Sequence, residues 1–459
     1  MKKGFSCVLF SVLATVAVAV PEVGQMQVSL TSDGCAKVSY VLSGEPGVVT
    51  FDATYADGTA VADSNMTDVT GEVNCLVKKD VKSVFRWKLP DAVAAVAKDV
   101  TVALRAWPTN CPPDYMVVCL SNKSDRVRYY TSTARFPVPF GDQLYKTSHL
   151  VMRKIPAAGV VWRMGSPDYE TGRTAAMEGT RRVVLTHDYY LGVYPVTIGQ
   201  YEYAKTLTGF GSSNPASKLT YLDQDNVGLR NMQLDWPRGQ LSYGYLRGTS
   251  GNTAGTEWDG VTPYWPRNGH DTLDSKSLLG LMRANWGVSF DLPSEAEWEF
   301  ACRAGTTSAY YTDVNPDGPA NYVTNLAWMA VNSVGPNYTN ETLTAYIPHS
   351  VGTLVPNAYG LYDMLGGIWE FCADWYAPIA TSAGLTVDPM GAATWYSTSE
   401  TGKRDWVCGH RVRRGGSYAT TGGSCRAGCR NGYAACYDAA GTPKYQQGFR
   451  LWAPAVSEK

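Results

Sequence analysis

Charge is scarce in this chain. Asp, Glu, Lys and Arg make up 18% of its 459 residues, and 40 basic against 41 acidic side chains leave a formal net charge of -1. Such a balance gives no electrostatic case for nucleic acid or an anionic membrane as partner. Histidine is rarer still, with five residues at positions 149, 187, 270, 349 and 410 that form no cluster. The cysteines show no CxxC…CxxC spacing, so a zinc ribbon is not indicated. After the first twenty residues no segment is apolar enough to cross a bilayer.

What is plentiful is Gly (45), Tyr (29) and Trp (14), the composition of a loop-rich globular protein rather than a helical bundle. A chain of this length is expected to form two domains. It opens with MKKGFSCVLFSVLATVAVAV, two lysines followed by an apolar run and a small-x-small Ala17-Val18-Ala19. Residues 1–19 therefore read as a signal peptide, with a short uncleaved anchor as the alternative. The mature protein is expected to be secreted, periplasmic or held at the cell surface, with no membrane insertion after cleavage. Ten cysteines remain beyond Cys7, four before residue 120 and six after residue 300. Even numbers in each half of an exported chain suit disulfides, and Cys111 with Cys119, around a Pro-containing loop, is the favoured pair.

Residues 20–137 show short alternating strands with turn signals between them. AKVSYVLSG places Val38, Tyr40 and Leu42 on one face, Asp57-Gly58 ends the next run, and Pro90 and Pro108 stop two others. This pattern suggests an all-β sandwich of the immunoglobulin or fibronectin kind. Residues 138–149 read as a linker, and residues 150–455 as a second domain. There a helix is expected from about Thr197, another in SKSLLGLMRANWG, and a third in DLPSEAEWEFACRAG, where Ser294 and Glu297 form a capping box. Glu295, Glu297 and Glu299 are read as structural in preference to acid–base catalysts, and Cys302 as a disulfide or buried thiol. The long segment from Phe210 to Gly269 shows no period. Arg414 and Arg450 are expected in structural ion pairs rather than at an anion site.

The densest stretch is PNAYGLYDMLGGIWEFCADWY, from Pro356 to Tyr376. Asp363 and Glu370, with the Gly366 and Ile368 carbonyls between them, are the oxygen mixture a hard cation takes. The glycines would let the carbonyls converge. The plainer alternative is a buried turn whose carboxylates cap backbone amides.

Together IPAAGVVWRMGS, YPVTIGQYEYA, DLPSEAEWEFACRAG, PNAYGLYDMLGGIWEFCADWY, RRGGSY and GFRLW resemble the successive motifs of the formylglycine-generating enzyme, or sulfatase-modifying factor, family, over roughly Leu150 to Pro454. The resemblance implies an α+β domain of low regular content with a C-type-lectin-like core. It implies structural calcium at Asp363, Gly366, Ile368 and Glu370, and a second calcium near Asn321 and Tyr322. The family's catalysts bind copper(I) through two cysteines five positions apart after the GGS strand. In this chain those positions hold Thr420 and Cys425, so Cys425 is the one catalytic candidate and copper follows only if the protein is an oxidase. Sulfoxide synthases with this domain use clustered histidines, which are lacking.

A third use of the fold is a ligand-binding protein diversified by retroelements. The run Ser417–Pro443 is built from Ser, Tyr, Ala, Thr, Gly, Cys, Arg, Asn, Asp and Pro, with no Glu, Lys, Gln, Met or Trp, an alphabet suited to adaptable binding loops. Tyr418, Asn431, Tyr433, Tyr437 and Asp438 are its candidate recognition residues, and a protein or cell-surface ligand the expected partner. Two alternatives stand beside it: an oxidase of protein cysteine, and a structural cell-envelope component. Free thiols would favour the oxidase, and disulfides at Cys425, Cys429 and Cys436 the binder.

Overall fold

The computed structural model describes residues 20–122, 127–210, 233–248, 273–312, 323–336, 344–379, 381–392, 410–434 and 446–455. The chain divides into two compact units, Met1–Ala60 with Val69–Pro108, and Val61–Asp68 with Thr109–Lys459.

The first unit is all-β. Strands β1 (Glu22–Leu30), β2 (Cys35–Ser43), β3 (Gly47–Thr54), β4 (Val69–Gly71), β5 (Cys75–Val77), β6 (Lys82–Lys88) and β7 (Thr101–Pro108) form two sheets. Their orders are β1-β2-β6-β4 and β5-β3-β7. A short helix, α1 (Asp91–Ala94), links β6 to β7. Strict alternation puts Val38, Tyr40 and Leu42 of β2 and Phe85 and Trp87 of β6 inside. Phe51 of the other sheet meets Phe85 and Trp87 at ring-centroid distances of 5.2 and 5.4 Å.

The second unit begins earlier than its sequence suggests. Strands β8 (Tyr115–Cys119) and β9 (Val127–Tyr130), expected in the sandwich, instead join β10 (His149–Ile155) in a five-stranded sheet. Cys119 pairs with His149 and Tyr115 with Arg153. Backbone pairing and the burial of Met116, Val117 and Val118 on both faces of β8 fix this assignment. The expected linker is a packed segment. It carries helix α2 (Leu144–Thr147), whose Tyr145 is fully buried against Phe136.

Further along come β11 (Val161–Met164), β12 (Arg181–Val184) and β13 (Tyr189–Gly192). Helix α3 (Ile198–Thr208) starts at a Thr197–Gln200 capping box and stops at left-handed Gly209. A one-turn helix, α4 (Tyr243–Arg247), interrupts the segment that shows no period. Helices α5 (Leu278–Trp286) and α6 (Glu295–Arg303) begin at Ser277 and Ser294, the latter with the expected capping box. Every residue of α6 is buried. Then follow β14 (Val334–Pro336), β15 (Thr344–Tyr346), β16 (Trp369–Trp375), β17 (Ser382–Val387), β18 (His410–Arg414), β19 (Arg430–Ala434), β20 (Gln447–Gly448) and β21 (Trp452–Pro454). The central four-stranded sheet runs β19-β18-β16-β20, and β21 returns to pair with β13 beside β10. The unit is thus α+β, strand-rich with short helices.

Ser294→Ala removes the oxygen that accepts the Glu297 amide at the start of a wholly buried helix. A loss of about 1–2 kcal/mol is expected, read as a lower urea midpoint.

Candidate functional site

The Pro356–Tyr376 stretch is anchored at its start by Asn357. Its Nδ2 donates to the carbonyls of Ala301 and Cys302 at the end of α6, at 2.7 and 3.1 Å, while its Oδ1 accepts from Tyr359 and Leu361. Asp363 sits at φ 55° and Gly366 at φ 74°. A Cβ at Gly366 would lie 2.3 Å from the Trp328 carbonyl oxygen, so the close backbone approach needs glycine. The chain then enters β16.

Glu370 of β16 faces Arg450. The Arg450 Nη2 lies 2.8 Å from Oε1, and Trp298 Nε1 donates to Oε2 at 2.6 Å. Arg450 also donates to the carbonyls of Gly192, Val193 and Tyr362, each at 2.8 Å. Both Glu370 oxygens are therefore occupied, and by a cation's fork rather than left open for a metal. Asp363 differs. One oxygen accepts from Gly352 at 2.7 Å, and the other is buried without a partner among the described residues. Burial, only partly offset by the Gly352 amide, pushes its carboxyl up to about 6. Of the set Asp363, Gly366, Ile368 and Glu370, the buried Asp363 oxygen without a partner is the one a cation would satisfy, while Glu370 is already met by Arg450 and Trp298. The Ile368 amide also already donates to the Gly366 carbonyl. Asn321 and Tyr322 lie outside the described residues.

The glutamates of α6 are structural, as expected. Glu295 accepts both arms of Arg430, at 2.7 and 2.6 Å, and pairs with Arg414 at 3.3 Å. Glu299 binds Arg303 at 2.8 Å and also Arg414. Glu297 closes the capping box and meets His187 at 2.9 Å. Arg426 is held by Glu170 and Glu178. Cys302 is a buried thiol, pushed up to about 12 by burial.

Cys425 lies in a short helical turn after β18. It is fully buried, and burial drives its thiol up to about 12, with the Thr420 contact opposing. Thr420 Oγ1 is 4.0 Å from the sulfur. The five-residue spacing therefore does bring the two positions together, as a hydroxyl facing a protonated thiol. Copper(I) needs soft thiolate ligands, and this pair does not fit it.

The cysteines correct one expectation. Cys111 and Cys119 are not bonded to each other, and Cys35, Cys302, Cys372, Cys425 and Cys429 also carry thiols. Cys111 is exposed, while Cys119 is fixed at the end of β8 by its pairing with β10. Cys408 and Cys436 lie outside the described residues.

Of the recognition candidates, Asn431 is exposed and Tyr433 half-buried on β19, while Tyr437 and Asp438 lie outside the described residues. Tyr418 is buried, its amide donating to the Gly367 carbonyl at 3.0 Å, so it supports the turn rather than a surface. Beside Tyr433 the sheet presents two residues the sequence reading missed. Arg413 has its guanidinium carbon 4.6 Å from the Trp369 ring centroid and 4.9 Å from that of Tyr433.

Residues 153–454 match the family model described as the Sulfatase-modifying factor enzyme 1-like domain, and the chain belongs to this family. Within it, the chain is similar to the formylglycine-generating enzyme of Streptomyces coelicolor, 32% identical over 130 residues, or 28% of this chain and 35% of that protein. It is also similar to the inactive C-alpha-formylglycine-generating enzyme 2 of Mus musculus, 32% identical over 127 residues, or 27% of this chain and 35% of that one. The match spans only about a third of those curated relatives. Among solved structures, Treponema denticola variable protein 1 aligns with a TM-score of 0.42 and 24% identity, over 67% of this chain and 95% of that one.

Two outcomes follow from the buried carboxylates. Asp363 holds its proton in the fold at pH values where the unfolded chain, with the ordinary 3.8, has released it. Its contribution to stability is thus present below about pH 4 and lost as pH rises toward 6. Asp363→Asn is expected to gain on the order of 2–3 kcal/mol over the parent at pH 7 relative to pH 4, by urea unfolding at both values. Arg450→Met leaves Glu370 buried without its counter-charge and should cost about 3–5 kcal/mol by the same measurement.

Proposed function

We propose that the protein is an exported, non-catalytic binding protein that uses the family scaffold to hold a recognition surface on β16, β18 and β19. The observation that carries this reading is Thr420 Oγ1 facing the buried Cys425 sulfur at 4.0 Å. A thiol raised to about 12 is neutral at physiological pH, and a hydroxyl gives copper(I) no soft ligand in exchange. The free state of Cys425 and Cys429 is what an oxidase would need, but the required partner position is taken by a hydroxyl. One relative's name describes it as inactive, which agrees with a family scaffold surviving without the chemistry.

Export rests on the signal-like residues 1–19, which lie outside the described residues, and the partner is a protein or cell-surface ligand. Asn431, Tyr433, Arg413 and Trp369 combine a polar group, two amphipathic rings and a cation, the makings of an adaptable contact surface. Diversification of Ser417–Pro443 belongs to this proposal. Within that run Cys425, Ala427 and Tyr418 are buried, so variation would be confined to outward positions such as Asn431.

A copper(I) titration with thiol mapping tests the reading. The protein should take up no copper(I) at Cys425 and should leave a cysteine-containing peptide unoxidised, whereas Thr420→Cys should gain copper(I) binding. Stoichiometric copper(I) uptake by the parent, lost in Cys425→Ser, would overturn it.

A further inference from the structure

Arg414, Arg426, Arg430 and Arg450 of the second unit are met by buried carboxylates, whereas Arg413 is met by aromatic rings. It lies in the middle of β18, opposite Asn431 of β19 and Phe371 of β16. The Trp369 and Tyr433 rings stand at 4.6 and 4.9 Å from its guanidinium carbon. Its hydrogen bonding among the described residues is one contact, Nη2 donating to Asn431 Oδ1 at 3.3 Å, and its Nε is buried with no partner. No described carboxylate forms an ion pair with it. Arg414, the next residue, faces the other way and meets both Glu295 and Glu299.

A guanidinium between two rings gains cation–π attraction, yet its in-plane donors remain to be satisfied. Burial pushes Arg413 down to about 10, with only the Tyr433, Cys429 and Tyr376 side chains opposing. The charge is therefore held in place by aromatic walls and meets no carboxylate among the described residues. Its Nη2 lies toward Asn431, an exposed residue, so the slot opens to solvent on that side.

We propose that this slot receives one carboxylate of a bound polypeptide, either an acidic side chain or a chain terminus. A planar carboxylate matches the fork of a guanidinium, and aromatic walls exclude water from the pair. Arg413 supplies a single uncompensated positive charge, because neighbouring Arg414 and Arg430 are already met by Glu295 and Glu299. A monoanion fits that balance, whereas a phosphate dianion would leave charge stranded between the rings. The polypeptide is favoured by β19, the edge strand of its sheet among the described residues, whose backbone can pair with an extended chain and bring a side chain over Asn431. The inference rests on the binding reading above and gives it a ligand chemistry.

Ligand-observed NMR on the full chain tests it with four acetylated pentapeptides. Gly-Tyr-Asp-Tyr-Gly with an amidated end carries an internal carboxylate, and Gly-Tyr-Asn-Tyr-Gly with a free end carries a terminal one. Amidated Gly-Tyr-Asn-Tyr-Gly and Gly-Tyr-Lys-Tyr-Gly carry none. At least one acid is expected to bind roughly tenfold more tightly than the amidated Asn peptide, and which acid does so identifies the source. Arg413→Gln should abolish that preference, so that the acids bind no more tightly than the amidated Asn peptide. Arg413→Lys, which keeps the charge but not the fork, should retain a reduced preference, and it stands as the reading if the Gln variant does not fold. Equal binding of all four peptides overturns the carboxylate slot while leaving a binding surface intact. So does an acid preference that persists undiminished in both variants. Binding of none of the peptides overturns the slot and counts against the binding reading as well.

Discussion

The second unit depends on charge pairs closed off from water around α6. Glu295 and Glu299 lie one turn apart on that helix, and Arg414 reaches both of them from β18. Arg430 forks onto Glu295 from β19, and Arg303 completes Glu299 from within the helix. Such a lattice is favourable only when every member is met, since a stranded charge at this depth costs several kcal/mol. It therefore acts on registry. A one-residue slip of β18 or β19 would turn Arg414 or Arg430 away from the helix. A domain with short strands and long connections gains from this a single admissible arrangement of its central sheet.

The same constraint suits the recognition role proposed for the outward face of that sheet. Alternation along β18 sends Arg414 to the helix and Arg413 to the opposite side, so the platform is rigid beneath residues that take no part in holding it. Trp369 contributes through its position at the start of β16, fixed by the Gln446 carbonyl that its amide meets at 3.0 Å. Recognition groups mounted on strands lose little freedom on binding, which favours affinity without demanding many contacts.

What could be read from the sequence was mostly local. The capping boxes at Thr197 and Ser294 need only a three-residue spacing, and both form. The alternation of β2 and β6 announces the sandwich, and the motif series announces the family. The domain boundary was not readable, because β8 looks like any alternating strand until its partner, β10, is known. The surroundings of the expected calcium turn were hidden for a similar reason. Glu370 and Gly366 are close in sequence, but Arg450, 80 residues further along, decides what the carboxylate does. Arg413 and Trp369 escaped notice because their meeting depends on the pairing of β16 with β18, which no linear pattern reveals.

Thr420 shows how one side chain can keep the turn of the fold without supplying a thiolate. Its hydroxyl accepts the Ser417 amide at 2.9 Å and lies 3.0 Å from the Ser417 carbonyl, closing a tight turn directly after the glycine pair. A thiol is a weaker donor and acceptor and would hold that turn less firmly. The hydroxyl at this position therefore strengthens the segment that leads into the Ser417–Ala434 surface, while denying Cys425 the second sulfur that copper chemistry requires. A firmer turn and the loss of the thiolate pair are thus two consequences of one side chain.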